Sequence, residues 1–226
     1  SGTSTATYFI LLFLSTVIAS FGLISNSTAT VIGAMIVAPL MGPILGLALG
    51  IVRGDGRMVK DSLAAEAVGV LAVVLTAFLL ALVEGPDNLD YGVSEIQGRT
   101  RPTLYDMAIG LAAGLAGAYA TVNARVSASI AGVAIAVALV PPLSTCGLLL
   151  AGAFYESALG GPALQAFLLF LANFLTIEVA AGLVFALSGL GHLDRVLRDR
   201  NLARGLWINA LLLLLTGAFL AYQLQN

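Results

Sequence analysis

Seven apolar runs divide this chain, and each is long enough to cross a lipid bilayer. A helix needs about 20 residues to span the hydrocarbon core, and it pairs its own backbone groups where no water can do so. The runs are 8–25, 28–52, 63–83, 104–122, 129–154, 163–187 and 205–224. The sequence therefore predicts an all-α polytopic membrane protein with seven transmembrane helices.

Composition agrees with a bilayer protein and excludes several other classes. Hydrophobic residues make up 59% of the chain and charged residues 10%, whereas soluble domains carry about 25% charged residues. The net charge of −2 gives no basic surface for nucleic acid. One cysteine and one histidine exclude an internal disulfide and a Cys/His metal cluster, so we expect no cofactor.

The second and fifth apolar runs are interrupted by prolines. Pro39 and Pro43, with Gly42 between them, interrupt the second run, and Pro141 and Pro142 interrupt the fifth. A shift of 99 positions superposes matching residues of the two runs, namely Thr28 on Ser127, Thr30 on Ser129, Gly33 on Gly132, Ile36 on Ile135, Leu40 on Leu139 and Pro43 on Pro142. Paired interrupted helices in two halves of a membrane chain indicate a solute site between structural repeats.

The two halves predict an inverted repeat within a single transmembrane domain. Each half holds three spans, and because three is odd, the second half lies upside down relative to the first. Helices two and five are the broken ones, and the seventh helix is an addition. The predicted order is repeat one 8–83, outer loop 84–103, repeat two 104–188, an amphipathic interfacial helix 189–204 and the extra helix 205–224.

Positive charges favour crossing over re-entrance for the two broken runs. If both runs cross the bilayer, eight Lys and Arg residues lie on one side and two on the other. If both re-enter, the split is six against four. Since basic residues concentrate in the cytoplasm, we expect a cytoplasmic N-terminus, with the 84–103 loop outside.

Three stretches of this chain resemble a known family. They are the run from Val31 to Gly46, the run from Arg99 to Asp106, and the run from Gly132 to Leu143. They are similar to the hydrophobic family known as domain of unknown function 389, and the similarity extends from residue 8 to about residue 187. The resemblance implies a multi-pass protein of a prokaryotic inner membrane, often with a soluble extension. It supplies no activity and no catalytic residues.

The proline breaks are the first candidate site. Proline removes a backbone donor and disfavours helix at the residue before it, and unwound backbone survives in a membrane only inside protein or beside a cavity. Free carbonyls there suit a cation, and free amides suit an anion. Ser144 and Thr145 add hydroxyls after Pro142. The alternative is a pair of proline kinks that serve packing alone.

Acidic residues within the spans form the second candidate site. Glu178 lies near the middle of run 163–187, where a carboxylate costs about 2.5 kcal/mol or more unless it is protonated, partnered or hydrated. It therefore suits proton coupling, with Asn173 as its polar neighbour; the alternative is a neutral carboxyl bonded to backbone. Glu66 and Asp61 follow a basic loop and are interpreted as interfacial salt-bridge partners.

Polar residues at the run boundaries predict helix caps. Asn26 and Asn123 precede the two broken runs and are interpreted as their caps. Thr103 and Asp106 have the spacing of a capping box.

These features favour a transporter that moves a small solute or ion between the two broken helices. The alternative is a channel with one pore per protomer. A membrane-embedded enzyme ranks lower because no nucleophile–base set or phosphate loop is visible, and a sensor or scaffold acting through a soluble extension also stays open. GxxxG pairs at Gly46 and Gly50 and at Gly110 and Gly114 indicate close helix approach, and we expect a homo-oligomer.

Overall fold

Helices make up the body of the protein. The computed structural model describes residues 5–123 and 128–190, with side chains described for all of these except 128–138. No strand occurs in these ranges. The helices there are α1 (Thr5–Ile24), α2 (Thr28–Val37), α3 (Met41–Arg53), α4 (Gly56–Glu84), α5 (Ser94–Gln97), α6 (Leu104–Val122), α7 (Ala128–Ala153) and α8 (Gly160–Leu187), with short 3-10 helices at Pro86–Asn88 and Ser157–Leu159.

Several of these helices are long and apolar enough to cross a membrane. Three qualify on their own, namely Thr5–Ile24, Gly56–Glu84 and Ser157–Leu187, and a fourth is added if the bent pair α2 and α3 counts as one span. The chain is therefore a membrane protein.

The count of seven spans stays a prediction. Helix α6 has the predicted bounds of the fourth run but is not among the helices that qualify as spans. The interfacial helix expected at 189–204 lies outside the described residues beyond position 190, and the extra helix 205–224 lies wholly outside them, as does Ser127 of the proposed repeat.

The described residues form two compact units. The first comprises residues 5–39, 68–102 and 136–171, and the second comprises residues 40–67, 103–123, 128–135 and 172–190. Each contains its own buried apolar residues, such as Leu12 and Leu148 in the first unit and Ile44 and Phe185 in the second.

Close helix contacts in the first unit depend on glycine. A methyl group on Gly22 of α1 would lie 2.9 Å from the backbone nitrogen of Val31 in α2, and one on Gly147 of α7 would meet the carbonyl oxygen of Val74 in α4. Small residues let backbones approach in this way, which is typical of membrane helix packing.

The loop after α4 is fastened to the α1–α2 turn within the first unit. Asn26 has a φ of 52°, and its Oδ1 accepts hydrogen bonds from Ser94 Oγ and Glu95 N, both 3.0 Å long. The Thr28 hydroxyl donates to the Glu95 carboxylate. The prediction that Asn26 caps α2 is wrong. Ser27 takes that place, because Asn26 turns in the left-handed conformation and bonds α5 instead.

The second unit contains a tight antiparallel pair, α3 and α4. Gly54 ends α3 with a φ of 70°, and its amide bonds the carbonyls of Gly50 and Ile51, a left-handed cap that glycine adopts without strain. A methyl on Gly46 would lie 2.7 Å from Ser62 Oγ, and one on Gly50 would lie 3.1 Å from Val59 N. This glycine pair therefore packs α3 on α4 within one chain.

Helix α6 packs on α8 in the same unit through the other glycine pair, Gly110 and Gly114. Its start is fixed by the predicted capping box, which is confirmed: Thr103 N donates to Asp106 Oδ2 at 2.7 Å. Both GxxxG pairs thus serve contacts inside the protomer.

Candidate functional site

The chain bends between α2 and α3, as the prolines predict. Helix α2 ends at Val37, Ala38 is extended with φ −69° and ψ 125°, and the axes of α2 and α3 differ by 55°. Leu40 occupies the N-cap position before α3 and provides no side-chain cap. The amides of Met41 and Gly42 therefore have no partner within the helix, which makes the start of α3 partially positive.

The fifth run, in contrast, is not broken. Helix α7 continues from Ala128 to Ala153 with Pro141 and Pro142 inside it, so the prediction of an interruption there is wrong. Proline has a helical φ and removes a donor without forcing the chain to unwind. The two prolines leave the carbonyls of Val137 and Ala138 without their usual amide donors, so the run keeps helical geometry but loses two hydrogen bonds.

Buried hydroxyls lie close to these prolines in the first unit. Ser144 and Thr145 are 0% exposed, and neither hydroxyl has a hydrogen-bond partner among the described residues. On α1, Ser15 and Ser20 are equally buried and equally without a partner there. These two serines were not among the predicted site residues. Their spacing of five residues places them about 140° apart around α1, so it gave no signal of a shared site.

Thr16 of α1 provides a useful contrast with these hydroxyls. It is also buried, but its hydroxyl donates to the carbonyl oxygen of Leu12 at 2.7 Å. A hydroxyl inside an apolar helix usually satisfies itself in this way. The other four hydroxyls differ from Thr16 in having no such bond among the described residues.

Glu178 lies inside protein, in the second unit. It is 3% exposed, and its Oε2 has no partner among the described residues. Gly182, one turn later on the same face, approaches Val52 of α3, so Glu178 lies on the side of α8 that is directed towards α3.

Asn173 is directed towards a different helix. A methyl group on Gly110 of α6 would lie 3.4 Å from Asn173 Oδ1. Thr176, on the same side, donates its hydroxyl to the carbonyl of Ala172. Asn173 and Glu178 thus have different neighbours, as their separation of about 140° around the helix predicts.

Glu66 is the functional candidate that the sequence analysis misplaced. It is 5% exposed, both carboxylate oxygens lack a partner among the described residues, and no ion pair of Glu66 occurs there, so the salt-bridge interpretation is wrong. The apolar run was taken to begin at Leu63, but α4 begins at Gly56. Glu66 therefore lies ten residues, or about 15 Å, along the helix.

The 84–103 loop contains an ion pair. Arg99 pairs with Glu95 at 2.9 Å. Burial, followed by the nearby Asp87 carboxylate, raises the pKa of Tyr91. Among residues 5–123 and 128–190, no group of three or more His, Cys, Asp and Glu side chains is placed to hold a metal ion. The buried hydroxyl groups described above can form hydrogen bonds, and the buried carboxyl groups can bind protons.

Comparison with known proteins identifies relatives without an assigned activity. The family model described as "Domain of unknown function (DUF389)" matches residues 35–179. The chain is 32% identical over 184 residues to "Uncharacterized protein MJ0678" of Methanocaldococcus jannaschii, covering 80% of this chain and 54% of that protein. The chain thus spans about half the length of this relative. No solved structure matches significantly.

Proposed function

This chain belongs to the DUF389 family, whose description names no activity, and we propose from its own residues that it is a membrane transporter of a small solute. The observation that carries the proposal is a set of buried side chains, each with at least one polar atom that has no hydrogen-bond partner among the described residues. They are Ser15, Ser20, Ser144, Thr145, Glu66 and Glu178.

The free-energy cost of burying a polar group without a hydrogen bond makes these side chains evidence for a function. A polar group in an apolar interior without a hydrogen bond costs about 1–3 kcal/mol, and a carboxylate costs more. Ionisable residues in membrane helices mark solute or ion pathways, and Glu66 and Glu178 are of this kind. The number of these buried side chains therefore supports a polar ligand over packing alone.

Hydrogen bonds of the first unit support the crossing topology. Asn26 and Thr28 bond residues 94 and 95. The two ends of the segment 26–95 therefore lie on the same side of the membrane. A segment whose two ends lie on one side must cross the membrane an even number of times. This condition is met if α2 and α3 together cross once and α4 crosses once. If α2 and α3 re-entered, α4 alone would cross and the ends would lie on opposite sides.

The proposed orientation follows from the positive charges. Arg53, Arg57 and Lys60 surround the α3–α4 turn, and this turn is cytoplasmic if basic residues stay inside. The N-terminus is then cytoplasmic and the 84–103 loop outside, in a prokaryotic inner membrane. Arg125 and the basic residues from 195 onwards lie outside the described residues.

The proposed architecture keeps the 3+3 inverted repeat and seven helices, with one change from the sequence analysis. Only the second helix is interrupted; the fifth provides two carbonyls without amide donors, followed by the hydroxyls of Ser144 and Thr145. Lipid surrounds the exposed apolar side chains, such as Leu71 and Leu75 of α4. A homo-oligomer stays part of the proposal.

A channel is the second candidate. Glu66 and Glu178 are the two acidic side chains that are buried in the described helices, and such a low intramembrane charge suits passive flow of a neutral or anionic solute. The two candidates differ in concentration dependence, because carrier flux saturates with solute whereas channel flux continues to rise.

Solute entry into liposomes tests the proposed function. The full chain is reconstituted, and swelling after an osmotic step is followed by light scattering with a panel of polyols, amino acids and monovalent anions. At least one solute should enter faster than in protein-free liposomes. Thr145→Val should slow this entry about tenfold, since one lost hydrogen bond of about 1.4 kcal/mol corresponds to that factor.

Thr16→Val is the matched control. It removes a buried hydroxyl that is already satisfied by Leu12, so entry should match that of the wild type. Equal loss in both variants, or no solute that enters faster than the background, would contradict the proposal.

A further inference from the structure

We propose that Glu66, with Ser62 beside it and the uncapped start of α3 opposite, forms a proton-binding site within the membrane that is separate from Glu178. Its role in driving transport rests on the proposed function above. The proton binding itself does not.

The register of α3 and α4 places Glu66 opposite the start of α3. Gly50 faces Val59, and Gly46 faces Ser62. Because the two helices are antiparallel, a step of one turn towards the N-terminus of α3 corresponds to a step of one turn towards the C-terminus of α4. One further turn pairs Gly42 with Glu66. Gly42 itself is exposed, and a methyl group on it would meet no atom within 4 Å.

Burial and the lack of partners distinguish Glu66 from its neighbours on α4. Its side chain is 5% exposed, with neither oxygen bonded among the described residues. Ser62, one turn earlier on the same buried stripe, is also buried. Asp61 and Lys60 are exposed on other faces of the helix.

Among the described residues of the second unit, no positively charged side chain pairs with Glu66. Helix α3, which packs on this face, has no titratable residue before Arg53, an exposed residue at its far end. The charged residue of α6, Asp106, is engaged in the capping box with Thr103. The charged residue of α8 is Glu178, which is acidic like Glu66.

A proton fits this site better than a metal cation does. One carboxylate and one hydroxyl supply too few oxygens to replace the ligand shell of a metal ion, and the partially positive start of α3 repels cations. The same amides, at Met41 and Gly42, stabilise the carboxylate once the proton leaves. Both states of Glu66 are thus accessible, and proton binding is reversible.

Dicyclohexylcarbodiimide tests the proposal directly, because this apolar reagent modifies protonated carboxyl groups in apolar surroundings. The acid proton moves to a nitrogen of the reagent, the carboxylate oxygen bonds its central carbon, and the adduct rearranges to a stable N-acylurea. The full chain in detergent is treated over a range of pH, and modified peptides are identified by mass spectrometry.

Glu66 should be modified at acid and neutral pH, and the modified fraction should fall as pH rises. Asp61 is the matched carboxyl on the same helix and should stay unmodified, and Glu66→Gln should remove the label from its peptide. Lack of modification at Glu66 overturns the proposal, whether or not Glu178 reacts. Equal modification of Asp61 also overturns it.

The link to transport has its own readout. For any solute identified by liposome swelling, an inward proton gradient should accelerate entry in the wild type, and Glu66→Gln should abolish the acceleration. If acceleration persists in this variant, Glu66 does not couple the proton to the solute. If no solute enters, the transport proposal fails, and the labelling result at Glu66 still decides proton binding.

Discussion

Replacement of Gly114 by alanine should separate α6 from α8 in the second unit. The added methyl group would lie 2.5 Å from the carbonyl oxygen of Ile177 and 2.8 Å from the Cα of the same residue. Both are backbone atoms, so a change of side-chain rotamer cannot relieve the contact. One helix must shift relative to the other.

Gly110→Ala provides the control within the same helix. Its methyl group would meet Asn173 and Thr176 at 3.4 Å, which is ordinary van der Waals contact. Both variants gain the same helix propensity, up to about 1 kcal/mol, so the difference between them isolates the clash. Overpacking costs about 1–3 kcal/mol, and Gly114→Ala should be less stable than Gly110→Ala by this amount.

Equilibrium unfolding in mixed micelles measures this difference. The folded fraction is followed by circular dichroism as the mole fraction of sodium dodecyl sulfate rises. A difference of 1–3 kcal/mol corresponds to a change of about fivefold to more than a hundredfold in the unfolding equilibrium constant. Equal stability of the two variants would refute the close approach of α6 and α8.

Three further predictions concern the cap, the topology and Glu178. Thr103→Ala should lower the free energy of unfolding by about 1 kcal/mol through loss of the capping box, measured by the same unfolding assay; an unchanged value would contradict the cap. In a Cys146→Ala background, Asp87→Cys should react with an impermeant thiol reagent in intact cells while Arg57→Cys stays protected, and the opposite pattern would reverse the orientation. Glu178→Gln should uncouple any proton-driven flux while the helical content by circular dichroism is retained, and unchanged proton dependence would assign Glu178 a structural role.

Local sequence signals predicted the elements whose causes are local. The bounds of α6 follow from a capping box at Thr103 and from an apolar run that ends at Val122. The bend after Val37 follows from Pro39, which disfavours helix at the residue before it. In both cases the deciding residues lie within one turn of the feature.

Other features depended on contacts between distant parts of the chain. Asn26 bonds residues 94 and 95, and no local pattern could indicate this partner. Pro141 and Pro142 are compatible with a broken helix or a continuous one, because proline removes donors in both and the surrounding packing decides. The symmetry of the two runs therefore predicted too much similarity between α7 and the α2–α3 pair.

Glu66 was misplaced because its depth depends on where α4 begins. Arg57, Lys60 and Asp61 have the composition of a loop, yet they form the first turns of the helix, so an apolar-run analysis started the span too late. Helical spacing carried the missing information. Ser62, Glu66, Val73 and Ala77 lie on one buried stripe, whereas Leu63, Leu71, Leu75 and Leu79 are exposed.

The central claim is that buried hydroxyls on α7 meet an aqueous solute path, and the reactivity of a cysteine at Thr145 tests it most directly. Thr145→Cys and Leu79→Cys are made in the Cys146→Ala background and treated with a charged methanethiosulfonate reagent in reconstituted membranes. Leu79 is 49% exposed and apolar, and is therefore proposed to face lipid. The account predicts rapid reaction at position 145, slowed by a transported solute, and slow reaction at position 79. Reaction at position 145 no faster than at position 79 would contradict it.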